Sequence, residues 1–203
     1  MLITGIKSKP VYAPLAPDIG GRHHILVGHG VGGEPLLRVI VALRDAGSAK
    51  GSRRLLYVSD ADAPLDAFGD VKSADVAEVT SFTNTPALLE NLRAVFDASL
   101  MGTRLYVAGP EAFMGLVMRL AAEFNLNRDE IRAEECGSGA RRVHCIHCRT
   151  ATENVRTNIT QCSGCARWLI VRDHYSRRFA AYMGVMVDAE APGELPEIRE
   201  VFL

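Results

Sequence analysis

The 203-residue chain carries 23 Lys plus Arg against 24 Asp plus Glu, a net charge of -1. That balance excludes a general electrostatic affinity for nucleic acid or an anionic membrane, so nucleic acid is not expected as a partner. Hydrophobic residues make up 48% of the chain, yet charges and glycines interrupt every apolar run before the 18 or so residues a membrane span needs. Lys7 and Lys9 precede no apolar stretch of leader type, and the expected location is the cytoplasm, with no membrane partner.

From the N-terminus, His24 to Gly28 reads as a buried strand and Glu34 to Ala46 as an amphipathic helix with Leu36, Leu37, Ile40 and Val41 inward. Arg54 to Ser59 and Val76 to Phe82 read as further strands. Thr85-Pro86 then opens a helix, with Thr85 as N-cap and Pro86 at the first position. Its stripe is Leu88, Leu89, Leu92, Val95 and Phe96. Arg104 to Ala108 is a fourth strand, broken at Gly109-Pro110 before a helix bearing Phe113, Val117, Leu120 and Phe124, and Ile131 to Glu135 is a fifth. The alternation predicts an α/β fold, a five-stranded parallel doubly wound sheet over residues 1–136.

Beyond residue 136 the grammar changes to glycines, arginines, paired cysteines and short β-prone runs, of which Trp168 to Val171 and Phe179 to Val187 read as strands. Residues 137–203 are therefore expected to form a small β domain, a zinc ribbon, ending in an irregular tail. Four of the five cysteines stand as Cys145-Ile-His-Cys148 and Cys162-Ser-Gly-Cys165. Each C-x2-C pair aims two thiolates at one ion, and four thiolates close a tetrahedral shell with no position for substrate. Structural Zn2+ is the expected metal, because a small β unit needs the binding energy to fold; a single iron carrying electrons is the chemical alternative. His144 and His147 read as flanking surface residues and Cys136 as left over. Arg141, Arg142, Arg149, Arg156, Arg167, Arg172, Arg177 and Arg178 make this unit locally basic, which reads foremost as a solvated face and alternatively as a surface for nucleic acid or an acidic protein.

Gly28-His-Gly30-Val-Gly32-Gly33 lies between the first strand and first helix, where a dinucleotide pyrophosphate can meet free amides and the helix dipole. Such a turn also serves tight strand-to-helix packing, and both readings stand. Gly109 and Pro110 should lie beside it across the switch point of the sheet, and Asp60 after the second strand is placed either to bind a ribose or as an exposed loop acid. No nucleophile with a base partner, carboxylate pair or open metal site can be assembled.

On these residues, the first half resembles the nicotinamide-binding domain of ferredoxin reductase-like flavoproteins. Gly28 to Pro35 matches their glycine-rich loop, and Leu105 to Met114 matches their late strand and corner. That resemblance implies NAD(P)H as a candidate cofactor. Ala108 replaces the cysteine usual before the corner, and about 20 residues before the sheet are too few for a flavin barrel. The whole chain, through Val107 to Met114, the cysteine pairs, Val171 to Arg178 and Ala181 to Asp188, is similar to the small A subunits of bacterial dimethylamine monooxygenase. This second resemblance implies a multicomponent NAD(P)H-dependent haem oxygenase that demethylates dimethylamine to methylamine and formaldehyde. Its haem, flavin and iron-sulfur cluster would then belong to partner oxygenase and reductase subunits. The expectation is an accessory, non-catalytic subunit that holds those partners together. The alternatives are a direct electron-transfer or nicotinamide-binding component and a zinc-ribbon nucleic-acid binder.

Overall fold

A computed structural model describes residues 8–49, 52–59 and 76–203. They form two compact units, one of residues 12–137 and one joining residues 8–11 to Ser138–Leu203.

In the first unit β1 (His23–His29), β2 (Arg53–Val58), β3 (Glu78–Phe82), β4 (Thr103–Gly109) and β5 (Ile131–Glu135) lie in the order β3-β2-β1-β4-β5, every neighbour parallel. The expected five-stranded parallel sheet is present. Its central strands are apolar on both faces because helices cover both. Ile25, Val27, Leu56, Val58, Leu105 and Val107 face α2 (Thr85–Asp97) and α3 (Glu111–Glu123), while Leu26, Leu55, Tyr57, Tyr106 and Ala108 face α1 (Gly33–Asp45). Strand order reverses between β1 and β4, so the turns that leave those two strands are neighbours.

The cap of α2 differs from expectation. Asn84 is the N-cap, its side chain accepting from the Ala87 amide at 2.9 Å, and Pro86 sits second in the helix. Asn84 has the extended backbone a cap requires, and its carboxamide oxygen accepts from the amide three residues on, whereas Thr85 already lies inside the helix. At the far edge, Leu15 donates its amide to Glu134 on β5 at 2.5 Å, and Arg104 of β4 bonds Asp18 at 2.6 Å. These contacts tie the segment before β1 to β4 and β5.

In the second unit β6 (Arg141–Cys145), β7 (Ala151–Val155), β8 (Ile159–Gln161), β9 (Trp168–Ser176) and β10 (Ala181–Met186) lie in the order β7-β6-β10-β9-β8. Only the β6 and β10 pair is parallel. Phe179, expected inside a strand, falls in the turn between β9 and β10, where its amide donates to Ser176 at 3.2 Å. The tail runs without regular structure apart from a bridge between Thr157 and Glu200, but it is fastened. Leu203 accepts from the Gly139 amide at 2.7 Å, and the Arg141 guanidinium lies 4.0 Å from the Tyr182 ring centroid and 3.8 Å from that of Phe202.

Candidate metal centre and the glycine turn

Two turns of the second unit share one construction. The first joins β6 to β7. In it Cys145 accepts from the Arg149 amide at 2.9 Å and donates its own amide to Thr150 at 2.9 Å. The second joins β8 to β9, where Cys162 accepts from Ala166 at 3.0 Å and donates to Arg167 at 2.9 Å. Both turns finish on a left-handed residue just after the second cysteine, Arg149 at φ 66 and Ala166 at φ 57. A non-glycine residue holds that conformation only where the surroundings fix it. Gly164 is needed where the two turns meet, since a Cβ there would lie 2.4 Å from the Thr150 hydroxyl and 3.2 Å from Cys148 Sγ.

The repeated turn brings the sulfurs of Cys145, Cys148, Cys162 and Cys165 within 4.8 Å of one another. Cys145 and Cys165 are 3.8 Å apart and Cys148 and Cys162 3.5 Å. Zinc-thiolate bonds of 2.3 Å in a tetrahedron place sulfurs about 3.8 Å apart, whereas a disulfide requires about 2.05 Å. The set can hold one metal ion, and all four predicted ligands are brought together. Burial pushes the Cys145 thiol up to about 11, while the Thr150 hydroxyl and amide hold Cys148 down to about 6. Cys165 is likewise lowered, chiefly by the Arg167 amide. Gly164 donates to Cys162 Sγ at 3.4 Å. Donors aimed at sulfur favour the thiolate, the form a metal takes.

The two nearby histidines are otherwise engaged. His147 Nε2 accepts from the Met186 amide at 3.3 Å, and His144 stacks on Phe179 with centroids 4.2 Å apart and planes 8° from parallel. That platform escapes a reading of the sequence, because Phe179 lies 35 residues from His144 and neither belongs to a recognisable motif.

At the carboxyl edge of the parallel sheet, Gly28, Gly30, Gly32, Gly33, Gly109 and Pro110 do assemble beside one another between β1 and β4. At Gly28 and Gly32 neighbours occupy the place of a side chain. A Cβ on Gly32 would stand 2.2 Å from the Ala108 carbonyl oxygen, and one on Gly28 would stand 2.7 Å from Leu36 and 3.0 Å from Tyr57. Gly30 takes a left-handed φ of 53, and its carbonyl accepts from the Tyr57 hydroxyl. Gly109 also has positive φ, at 149, packed against His29 and Phe113. Prolines remove one amide near the start of each helix, at Pro35 and Pro110, and each first turn carries an acid, Glu34 and Glu111. Half-buried Cys136 nearby has its thiol pushed up to about 11 by burial and then by Glu134, Glu34 and Glu135. Acids at helix starts offset the positive dipole that would otherwise attract an anion. Asp60 lies outside the described residues.

Comparison with known proteins agrees with the division of the chain. Residues 4–131 match the family model described as dimethylamine monooxygenase subunit DmmA-like, N-terminal domain, and residues 142–185 match its C-terminal domain. The heme-dependent oxidative N-demethylase delta subunit of Ectopseudomonas mendocina (strain ymp) is 33% identical over 170 residues, 83% of this chain and 82% of that one. Among solved structures, the ferredoxin reductase in carbazole 1,9a-dioxygenase is 19% identical with a TM-score of 0.43 over 59% of this chain and 34% of its own. An Amycolatopsis cytochrome P450 reductase is 18% identical with a TM-score of 0.43 over 58% and 38%. This chain thus spans about a third of those reductases, a likeness too distant to bear on function. Among the described residues no helix is long and apolar enough to cross a membrane. With both of its parts matched, the chain belongs to the DmmA-like family of dimethylamine monooxygenase subunits.

Proposed function

We propose that this chain is an accessory, non-catalytic subunit of a haem-dependent, NAD(P)H-driven oxygenase that N-demethylates dimethylamine to methylamine and formaldehyde. It holds the haem-bearing and the flavin- and iron-sulfur-bearing subunits in working geometry. The relative's description as a subunit of a heme-dependent N-demethylase supports the assembly. The observation that carries the accessory role is the closed set of four thiolates, Cys145, Cys148, Cys162 and Cys165, which gives a metal full coordination and no open position. Zinc bound there fastens the two turns and supplies no redox chemistry. The glycine turn is read as a packing device, since a Cβ on Gly28 would meet Leu36 and Tyr57 and one on Gly32 the Ala108 carbonyl.

Deleting this subunit from the reconstituted oxygenase should abolish dimethylamine-dependent NAD(P)H oxidation while each partner keeps its own cofactor. Full turnover without it would reject the role. A second reading, electron transfer through iron in the same cysteines, draws on the half-exposure of Cys148 and Cys165. Elemental analysis separates the two. Zinc at one equivalent, with no NADH binding to the isolated chain, rejects both the iron and the nicotinamide versions.

A further inference from the structure

The second unit distributes its charge unevenly. Residues 138–186 hold eight arginines against two acids, and residues 187–203 hold five acids against one arginine. Part of that excess is answered inside the unit: Arg141 pairs with Asp173 at 2.8 Å, Arg142 with Glu153 at 2.7 Å and Arg156 with Glu200 of the tail at 4.0 Å. Arg149, Arg177 and Arg178 are exposed, and among the described residues none of them has an acid within pairing distance.

Those unanswered charges border an aromatic residue that is exposed yet fixed. Phe179 is 40% exposed at a turn. His144 stacks beneath its ring, Arg142 donates to its carbonyl at 2.5 Å, and the Arg178 guanidinium lies 5.6 Å from its centroid. Ile146, two residues along from His144, is 45% exposed and adjoins the first metal turn. Arg149 stands three residues beyond Ile146, exposed at the end of the same turn. An aromatic residue that leaves 40% of its surface in water, fixed by its stack and bordered by arginines, is a preorganised apolar anchor with the composition of a binding hot spot.

We infer that Phe179, His144 and Ile146, with Arg149, Arg177 and Arg178 around them, form the surface by which this subunit docks on an acidic protein face of a companion subunit. The inference rests on the proposed role as an assembling subunit. The unit's own acidic tail answers Arg156, and at Arg149, Arg177 and Arg178 such a complement is missing among the described residues. The arginines steer and orient the encounter, and the fixed ring fills an apolar pocket at its centre.

The full chain, loaded with metal, is titrated with the companion haem and reductase subunits, separately and together. Phe179→Ala and the double variant Arg177→Glu/Arg178→Glu should each weaken assembly at least tenfold, the double variant mainly by slower association, with metal content and melting temperature unchanged. Rising salt should weaken the wild type more than the charge-reversed form. Normal assembly by the double variant overturns the docking surface and leaves the accessory role standing. Failure of the wild type to assemble overturns both. Variants that assemble normally but lose binding to a single-stranded oligonucleotide would assign the surface to nucleic acid instead.

Discussion

The parallel sheet and the four-cysteine unit each contain five strands, and they hold them together by different means. The parallel sheet lies between two apolar clusters, with fully buried Leu26, Leu36, Ile40, Leu55 and Leu88 among their members. The second unit has one small cluster, Val143, Cys145, Val155, Cys162 and Leu169, in which two of the five buried members are thiols. Apolar burial suffices for the first. In the second, a metal bridging the four sulfurs, as proposed above, would make metal binding and folding one equilibrium.

The largest effect should therefore follow from Cys162→Ser. Structural zinc binding contributes on the order of 10 kcal/mol, comparable with the whole stability of an ordinary domain. Amide exchange should show β6 to β10 opening while β1, β2 and β4 stay protected, and elemental analysis should show the metal lost. A variant that keeps its metal and its protection would remove the contrast between the units. A strong chelator applied to the wild type should reproduce the same split.

Gly32→Ala tests the other unit. The new methyl would stand 2.2 Å from the Ala108 carbonyl oxygen, where backbone of α1 and β4 would both have to shift. The expected cost is about 3 kcal/mol, at the upper end of overpacking effects. Chemical denaturation should register it in the parallel sheet alone, with cysteine accessibility unchanged. If the variant is stable and instead loses nucleotide binding, the turn is a cradle and not a packing device.

How legible these features were depended on how local their causes are. β1, β2 and β4 are buried on both faces and show as unbroken apolar runs, and each cysteine turn is contained in six residues of sequence. β6, β7 and β8 were not resolved by pattern, because Arg141, Arg142, Glu153 and Asn154 interrupt any run and the strands are held by metal turns and neighbours rather than by their own apolar face. The pairing of Ser8 with Tyr175, where the Tyr175 amide donates to the Ser8 hydroxyl at 2.7 Å, has no local signal at all. The same holds for the His144 and Phe179 stack. The cap of α2 is a partial success: Thr-Pro marks the helix start to within one residue, and the cap falls on Asn84, the residue before Thr85.

Arg141→Met should have a moderate effect, confined to the second unit. It removes the Asp173 pair and the cation held between Tyr182 and Phe202 while keeping much of the stem's volume. A loss of about 1 to 2 kcal/mol is expected, with the amides of Val201 and Phe202, which both donate to Arg156 at 2.9 Å, exchanging faster. Unchanged exchange there would show that the tail is held by its backbone contacts alone.

The smallest effect belongs to the edge of the parallel sheet and depends on acidity. The hydrogen bond from Arg104 holds the Asp18 carboxyl below its ordinary value of 3.8, against the opposing effect of burial. A carboxyl lowered in the folded state stabilises fully above its unfolded value, and that stabilisation is lost as pH falls through the folded value. The contribution is therefore intact at neutral pH and fades below about pH 4. Asp18→Asn keeps the shape but surrenders the charge-assisted bond to Arg104, with Arg132 3.6 Å away on the same carboxylate. It should cost about 1 kcal/mol at pH 7 and flatten the acid limb of the stability profile, so that wild type and variant converge as pH falls through the folded value. Parallel profiles over that range would place the acid sensitivity elsewhere, with the thiolates of the second unit as the first alternative.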